Sequence, residues 1–343
     1  MSEKKNKKKS GLGNSANTSA VSNTPTFLHV GYPKCASSYL QRLIFPSIGN
    51  LADLTKLDHE TKWMLFKDNP DLPEFRRRVE AAVEYRESNR NHQILSYEGL
   101  LPNPFQGFTD LYWEVRRKRG VDTRRYHQPD HCVPRRLAKA FPEAYVIIVI
   151  REQIDWVISH YKMYWRRGHT SASIDSFCKD YKESYDKVVG HYLDVFGPER
   201  MLVVPFELLC DNPSSFVNQV TDFIAPGCEP KIPNKRENSA PELLRDVMCY
   251  RSKRILKSKL KGDDRRSNPL NRIGSNLILW SARLAARPYY TLKYGKKRDE
   301  VEIDEKTLNA IRPAIAESNR KLEEMTGLDL KKFGYYVDNS FGR

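Results

Sequence analysis

No run of about 18 apolar residues occurs in the chain, so no segment reads as a membrane span. The N-terminus is Lys-rich, then rich in Ser, Asn and Gly. It lacks the apolar core of a secretory signal, and residues 1–24 read as a disordered basic tail. The six cysteines (35, 132, 178, 210, 228 and 249) form no CxxC pair and no His/Cys grouping at zinc spacing. Free thiols in a reducing, cytoplasmic setting are the simpler expectation. No internal repeat is visible. The loop signature G-x-x-x-x-G-K-[ST] is also missing. A phosphoryl transferase would need a Gly-rich loop and a magnesium-binding Asp after a strand, and neither is evident.

What remains is a 343-residue chain, 39% hydrophobic and 29% charged, long enough for one large α/β domain or two small ones. Its formal charge of +15 is unevenly spread. Residues 231–300 hold 19 Lys/Arg against 7 Asp/Glu, and residues 1–10 hold five Lys against one Glu. The rest is close to neutral. Such a segment suits an anionic partner (phosphorylated cofactor, acidic glycan, anionic lipid or nucleic acid) or is simply a solvated face.

Periodicity orders the elements. TFLHVG (26–31) reads as a buried strand and 37–45 as the helix after it. Residues 73–88 have helical spacing, with Phe75, Val79, Ala82 and Val83 on one face. QILSYEGLLP (93–102) reads as a short strand ending in polar residues, then a Pro-marked turn. A helix over 134–141 stops at Pro142. AYVIIVI (144–150) is apolar throughout, as a central parallel strand covered on both faces would be. Helical patterns follow over 153–165 and 175–196. MLVVPFELL (201–209) holds another strand, and Asp-Asn-Pro-Ser at 211–214 opens a helix to 224. A last helix spans about 304–326. Strands alternating with helices imply an α/β fold with a mostly parallel sheet flanked by helices.

Two stretches carry chemistry. In TFLHVGYPKCASSYLQ (26–41) a strand enters a turn that meets a helix start, a geometry that binds anions through free N–H groups and the helix dipole. Lys34 adds a mobile cation; Ser37 and Ser38 add hydroxyl donors. Taken alone, an ordinary strand–turn–helix fits equally. In IVIREQIDWVISHY (148–161) a buried strand ends in Arg151, and Ser159 lies on the next helix. A charge at the carboxyl end of a central strand sits where open α/β sheets bind ligands. Arg151 can grip a phosphate with its planar fork, with Ser159 donating to the same group. The competing reading is an Arg151–Asp155 pair.

Together the two motifs resemble those of sulfotransferases that use 3′-phosphoadenosine 5′-phosphosulfate (PAPS). That family carries a strand ending in Pro-Lys-x-Gly-Thr/Ser-Thr/Ser and, more than a hundred residues later, Arg-x-Pro-x-Asp-x-x-x-Ser-x-Tyr. The matching positions are Pro33, Lys34, Cys35, Ala36, Ser37 and Ser38, then Arg151, Asp155, Ser159 and Tyr161. Phe206-Glu207 matches the family's aromatic-Glu after a later strand. AESNRKLEEMTGLDLKKFGYY (316–336) is similar to the closing helix and tail of bacterial and carbohydrate-type members. Two departures stand out. Ala36 takes the loop glycine's place, so its backbone is expected to avoid strongly positive φ. Glu152-Gln153 replaces the usual Asn/Asp-Pro.

The resemblance implies a P-loop-like nucleotide-binding fold over residues 25–343, with 241–303 a basic insertion or acceptor-side segment. It implies PAPS as co-substrate without a metal, and metal-free in-line sulfuryl transfer to a hydroxyl or amine. Lys34 would stabilise the departing phosphate oxygen. The loop Pro33–Ser38 would hold the 5′-phosphosulfate, Arg151 and Ser159 the 3′-phosphate, and Tyr39 and Phe206 would meet adenine. Ser96 is a further candidate cofactor contact. Glu98 stands where cytosolic members place their base; the alternatives are that it pairs with an Arg or caps a turn, and His59 and Glu60 are rival bases. His127 and His131 lie in a basic loop and would touch the acceptor or nothing. The tail resemblance favours a carbohydrate or lipid-linked acceptor. The segment 275–298 mixes aromatics with Lys/Arg and suits an anionic membrane surface, an acceptor groove or an ordinary packed helix. A nucleic-acid module would not explain Lys34 and Arg151 at strand ends.

Overall fold

The computed structural model describes residues 25–49, 51–53, 57–86, 92–101, 132–167, 172–179, 181, 184–230 and 301–338. The expected tail 1–24, the loop carrying His127 and His131, and residues 241–300 lie outside the described residues.

Five strands form one parallel sheet: β1 (Thr26–His29), β2 (Leu51–Asp53), β3 (His92–Ser96), β4 (Tyr145–Ile150) and β5 (Met201–Pro205), in the order β2-β3-β1-β4-β5. Strand β4 earns its central place by composition: Val146–Ile150 are fully buried. Each such side chain contributes about 1.5–3 kcal/mol of burial. The chain builds β2 and β3 on one side of β1, then crosses to β4 and β5 on the other. The carboxyl edges of β3, β1 and β4 therefore meet at a topological switch point, where open α/β sheets hold their ligands.

The helices are α1 (Ser37–Tyr39, continued by a π-helical stretch Leu40–Ile44), α2 (His59–Met64), α3 (Leu72–Arg86), α4 (Cys132–Ala140), α5 (Gln153–Arg167), α6 (Ile174–Cys178), α7 (Tyr185–Phe196), α8 (Phe206–Asp211), α9 (Pro213–Ile224) and α10 (Glu305–Thr326). Their ends follow local chemistry. Asn212 accepts from Ser215 N at 3.0 Å, with Pro213 opening α9. Asp304 accepts from Thr307 N at 2.7 Å, and Gly327 ends α10 with φ 70°.

One expectation changes, and two strands within expected stretches gain their bounds. The helix expected over 175–196 is two helices: Ser173 caps α6, and the extended backbone at Ser184 starts α7 afresh. MLVVPFELL leaves the sheet at Pro205, and the chain turns at once into α8. The strand over 93–102 ends at Ser96, where Tyr97 N turns back to His29 O at 3.1 Å. Edge strand β2 and short helix α2 were not anticipated.

Candidate active site

The loop after β1 is built from its carbonyls outward. Tyr32 O accepts from Cys35 N and from Ser37 Oγ, each at 3.3 Å. Pro33 O accepts from Trp156 Nε1 at 2.7 Å, and Lys34 O from Arg151 Nη1 at 3.4 Å. In a trans peptide the next N–H points opposite the carbonyl, so the amide of Lys34 faces away from Trp156. The structure overturns the expectation for Ala36. It sits in the left-handed region at φ 57°, and Lys34 at φ 72°. Left-handed residues in such a turn make successive N–H groups converge into an anion-binding nest. An L-residue pays about 1–2 kcal/mol to adopt that conformation. Here the Trp156, Arg151 and Tyr32 contacts on either side hold it in place. Gly31 is needed for closeness: an added Cβ would lie 2.7 Å from His29 Nε2 and 2.9 Å from Ser37 Oγ.

Arg151 leaves β4 beside this loop. Its guanidinium lies over the Phe206 ring at 4.7 Å. Its Nε is buried with no hydrogen-bond partner among the described residues, as a donor awaiting an anion would be. No ion pair joins Arg151 to Asp155, which is exposed. Instead Tyr185 Oη donates to Arg151 O at 2.8 Å and fixes its backbone. Ser159 is half-buried further along α5. Tyr161 donates to Ala172 O at 2.9 Å, a structural use.

Glu98 opens a 3-10 turn directly after β3 and is half-buried. Cys35 reports how closely the charges gather. Burial pushes its thiol well above the usual range, and Arg151, Glu207, Glu98 and Lys34 all act on it electrostatically. The loop lysine, the arginine after β4 and the glutamates after β3 and β5 are thus all near enough to act on one buried thiol. Glu60 stands apart: its side chain is 74% exposed and lies 3.5 Å from Arg78 of α3. The His59 side chain lies outside the described residues. Ser96 is no open cofactor contact, since it is buried between His29 Nδ1 at 2.6 Å and Gln41 Nε2 at 2.9 Å. Tyr39 is half-buried on α1, and partial burial raises its phenol.

Several residues of the site had been given no role by the sequence. Glu152 accepts from Ile154 N at 3.1 Å and Asp155 N at 2.8 Å, capping α5 where relatives place Asn/Asp-Pro. Burial pushes its carboxyl up to about 7. Glu207 accepts from Glu152 N at 2.9 Å and from Tyr335 Oη at 2.8 Å, so the tail is bolted to the ends of β4 and β5. Gln153 and Asn319 exchange amide hydrogen bonds across α5 and α10, and Asn319 also donates to Tyr336 O at 2.8 Å. Trp156 and His29 showed only as apolar-face and strand residues. Among the described residues, no cluster of three or more His, Cys, Asp and Glu is arranged to hold a metal, and no helix is long and apolar enough to cross a membrane. The five described cysteines are free.

A five-stranded parallel sheet flanked by helices, with a loop after its first strand and an arginine held against that loop, defines an α/β fold with its candidate site at the carboxyl edge. The model of the sulfotransferase family matches residues 25–226, more than half of the chain. The chain belongs to the sulfotransferase family. Among solved structures it is similar to a sulfotransferase from Alicyclobacillus acidocaldarius, at 17% identity over 68% of this chain and 93% of that one, with a TM-score of 0.41. It is also similar to mouse sulfotransferase SULT7A1 complexed with PAP, at 13% identity over 71% and 68%, with a TM-score of 0.35. No curated protein matches it by sequence.

Proposed function

We propose that the chain moves a sulfuryl group from PAPS to a hydroxyl or amine, with a carbohydrate or glycolipid as acceptor. One observation carries the reading: Arg151 Nη1 reaches Lys34 O at 3.4 Å, joining motifs 117 residues apart. The available residues fit the donor. The nest at Lys34–Ala36, with Ser37 and Ser38, suits the 5′-phosphosulfate. The orphaned Arg151 Nε suits the 3′-phosphate, with Ser159 as a second donor, and the Phe206 ring and Tyr39 suit adenine.

In-line transfer leaves negative charge on the departing phosphate oxygen. Lys34 and the loop amides meet that charge, and a preorganised donor of this kind contributes about 3–4 kcal/mol in the transition state. Glu98 takes the acceptor proton, worth roughly 10²–10⁴-fold. Fixed cations carry the charge that a metal would otherwise hold. A basic, aromatic-bearing stretch at 275–298 suits a lipid-linked acceptor at an anionic membrane surface. The test is transfer from labelled PAPS to glycan, lipid and small-molecule pools in EDTA. Label should reach a glycan or glycolipid; no transfer together with no PAP binding overturns the reading.

A further inference from the structure

Beneath the loop lies a polar group that the proposed chemistry does not use. His29, the last residue of β1, is fully buried. Its register partner on β3 is Ser96, and Nδ1 lies 2.6 Å from Ser96 Oγ. Ser96 Oγ already accepts from Gln41 Nε2 at 2.9 Å. If His29 Nδ1 also donated to it, the buried Ser96 hydroxyl proton would have no acceptor. The hydroxyl therefore donates to Nδ1, and a neutral imidazole then carries its proton on Nε2. Burial supports the neutral form by lowering the His29 pKa to about 3. That Nε2–H is buried with no partner among the described residues. A buried donor without an acceptor is costly and calls for a reason.

Its surroundings supply one. Nε2 and Ser37 Oγ press on the same side of Gly31, 2.7 and 2.9 Å from where a Cβ would stand. The Ser37 hydroxyl donates to Tyr32 O at 3.3 Å, long for a bond of this type. An anion in the loop would draw that hydroxyl proton toward itself. The oxygen keeps two acceptor lone pairs whichever way its proton points, so it can accept from His29 Nε2 at the same time.

We propose that His29 is a positioning residue that donates from Nε2 to Ser37 Oγ when the loop holds the phosphate end of the donor, fixing the hydroxyl toward the anion. Ser96 and Gln41 anchor the ring from behind. The same β1 end holds Tyr97 N through His29 O at 3.1 Å, next to Glu98. This rests on the sulfotransferase reading.

The test is a double-mutant cycle on PAP binding by calorimetry, with His29→Asn, Ser37→Ala and the double variant. Asn keeps an acceptor near Nδ1 for Ser96 and removes the Nε2 donor. Each single variant should weaken PAP binding by about tenfold, one hydrogen bond's worth. The double variant should bind no more weakly than Ser37→Ala, because His29 acts through Ser37. Losses that multiply overturn the His29 proposal while leaving the functional reading intact. A wild-type protein that binds no PAP overturns both. Should His29→Asn not fold, histidine side-chain NMR on the wild type decides. A neutral Nε2–H tautomer whose resonance moves on PAP addition supports the proposal; an Nδ1–H tautomer, or no movement, overturns it.

Discussion

If Arg151 grips the 3′-phosphate as proposed, replacing it by Ala separates that grip from everything else the arginine does. The guanidinium has three contacts to lose: a long bond to Lys34 O at 3.4 Å, the Phe206 ring at 4.7 Å, and whatever meets its orphaned Nε. The first two exist without ligand, so their loss loosens the site for any adenine nucleotide. That part should cost a few-fold, since an exposed cation–π contact is worth about 0.5–1 kcal/mol. The third exists only if a 3′-phosphate is present. A charge-assisted fork on phosphate should contribute about 3 kcal/mol, roughly 100-fold in affinity. Calorimetry with PAP and with 5′-AMP, which differ only in the 3′-phosphate, isolates that share. Arg151→Ala should weaken PAP about 100-fold beyond its effect on 5′-AMP, so that the two ligands bind alike. Equal losses for both ligands would remove Arg151 from the 3′-phosphate site. A melting curve close to wild type checks that the fold survives.

Other perturbations follow from the same geometry. Lys34→Ala should lower turnover by about 10²–10³-fold while the protein still binds PAP, because on the proposed reading the lysine acts on charge formed during transfer; near wild-type turnover refutes that role. Glu98→Gln should lose turnover by about 10²-fold or more with donor affinity unchanged; normal turnover moves the base elsewhere, with His59 the next candidate. Ala36→Gly should raise the urea midpoint slightly, since relief of a left-handed alanine slightly exceeds the added chain entropy of glycine. A fall in the midpoint means the loop does not hold that conformation. Glu152 predicts a pH effect. Its folded pKa of about 7 is above the ordinary 4.5, so the fold favours the protonated form. That stability is complete below about 4.5 and is lost as pH rises through about 7, up to about 3 kcal/mol. Glu152→Gln should remove this share of the fall between pH 5 and 8 in urea titrations; parallel curves for the two proteins contradict it.

The parts of the site visible in the sequence are those whose chemistry is local. YVIIVI can only be a buried strand, and an arginine at its end must face the carboxyl edge. Lys34 and the two serines likewise follow a buried strand into a helix. What stayed hidden depends on partners far along the chain. The left-handed turn at Ala36 is imposed by Trp156 and Arg151, more than a hundred residues away, and alanine's own preference argued against it. Ser96 looked like an open hydroxyl at a strand end until His29 and Gln41 enclosed it. Glu60 offered the right chemistry, but its helix turns it toward Arg78.

By sequence the C-terminal tail only resembles that of bacterial and carbohydrate-type members, and its contacts suggest what it does here. On the proposed reading Arg151 must hold one direction for a phosphate, yet it follows the end of a strand and begins a loop. Glu207 takes hold of the next backbone amide, Glu152 N, and is itself held by Tyr335 Oη. One residue on, Gln153 is locked to Asn319 of α10, which also holds Tyr336 O. Tail and helix therefore brace the two residues after Arg151 from a region that touches neither the loop nor the Phe206 ring by any bond described above. Tyr335→Phe removes one oxygen from that brace and leaves the arginine in place. It should weaken PAP binding about threefold to tenfold while 5′-AMP binding holds, since a single hydrogen bond to a carboxylate is at stake. An equal loss for both ligands would mean that the tail supports the fold in general and not the aim of Arg151.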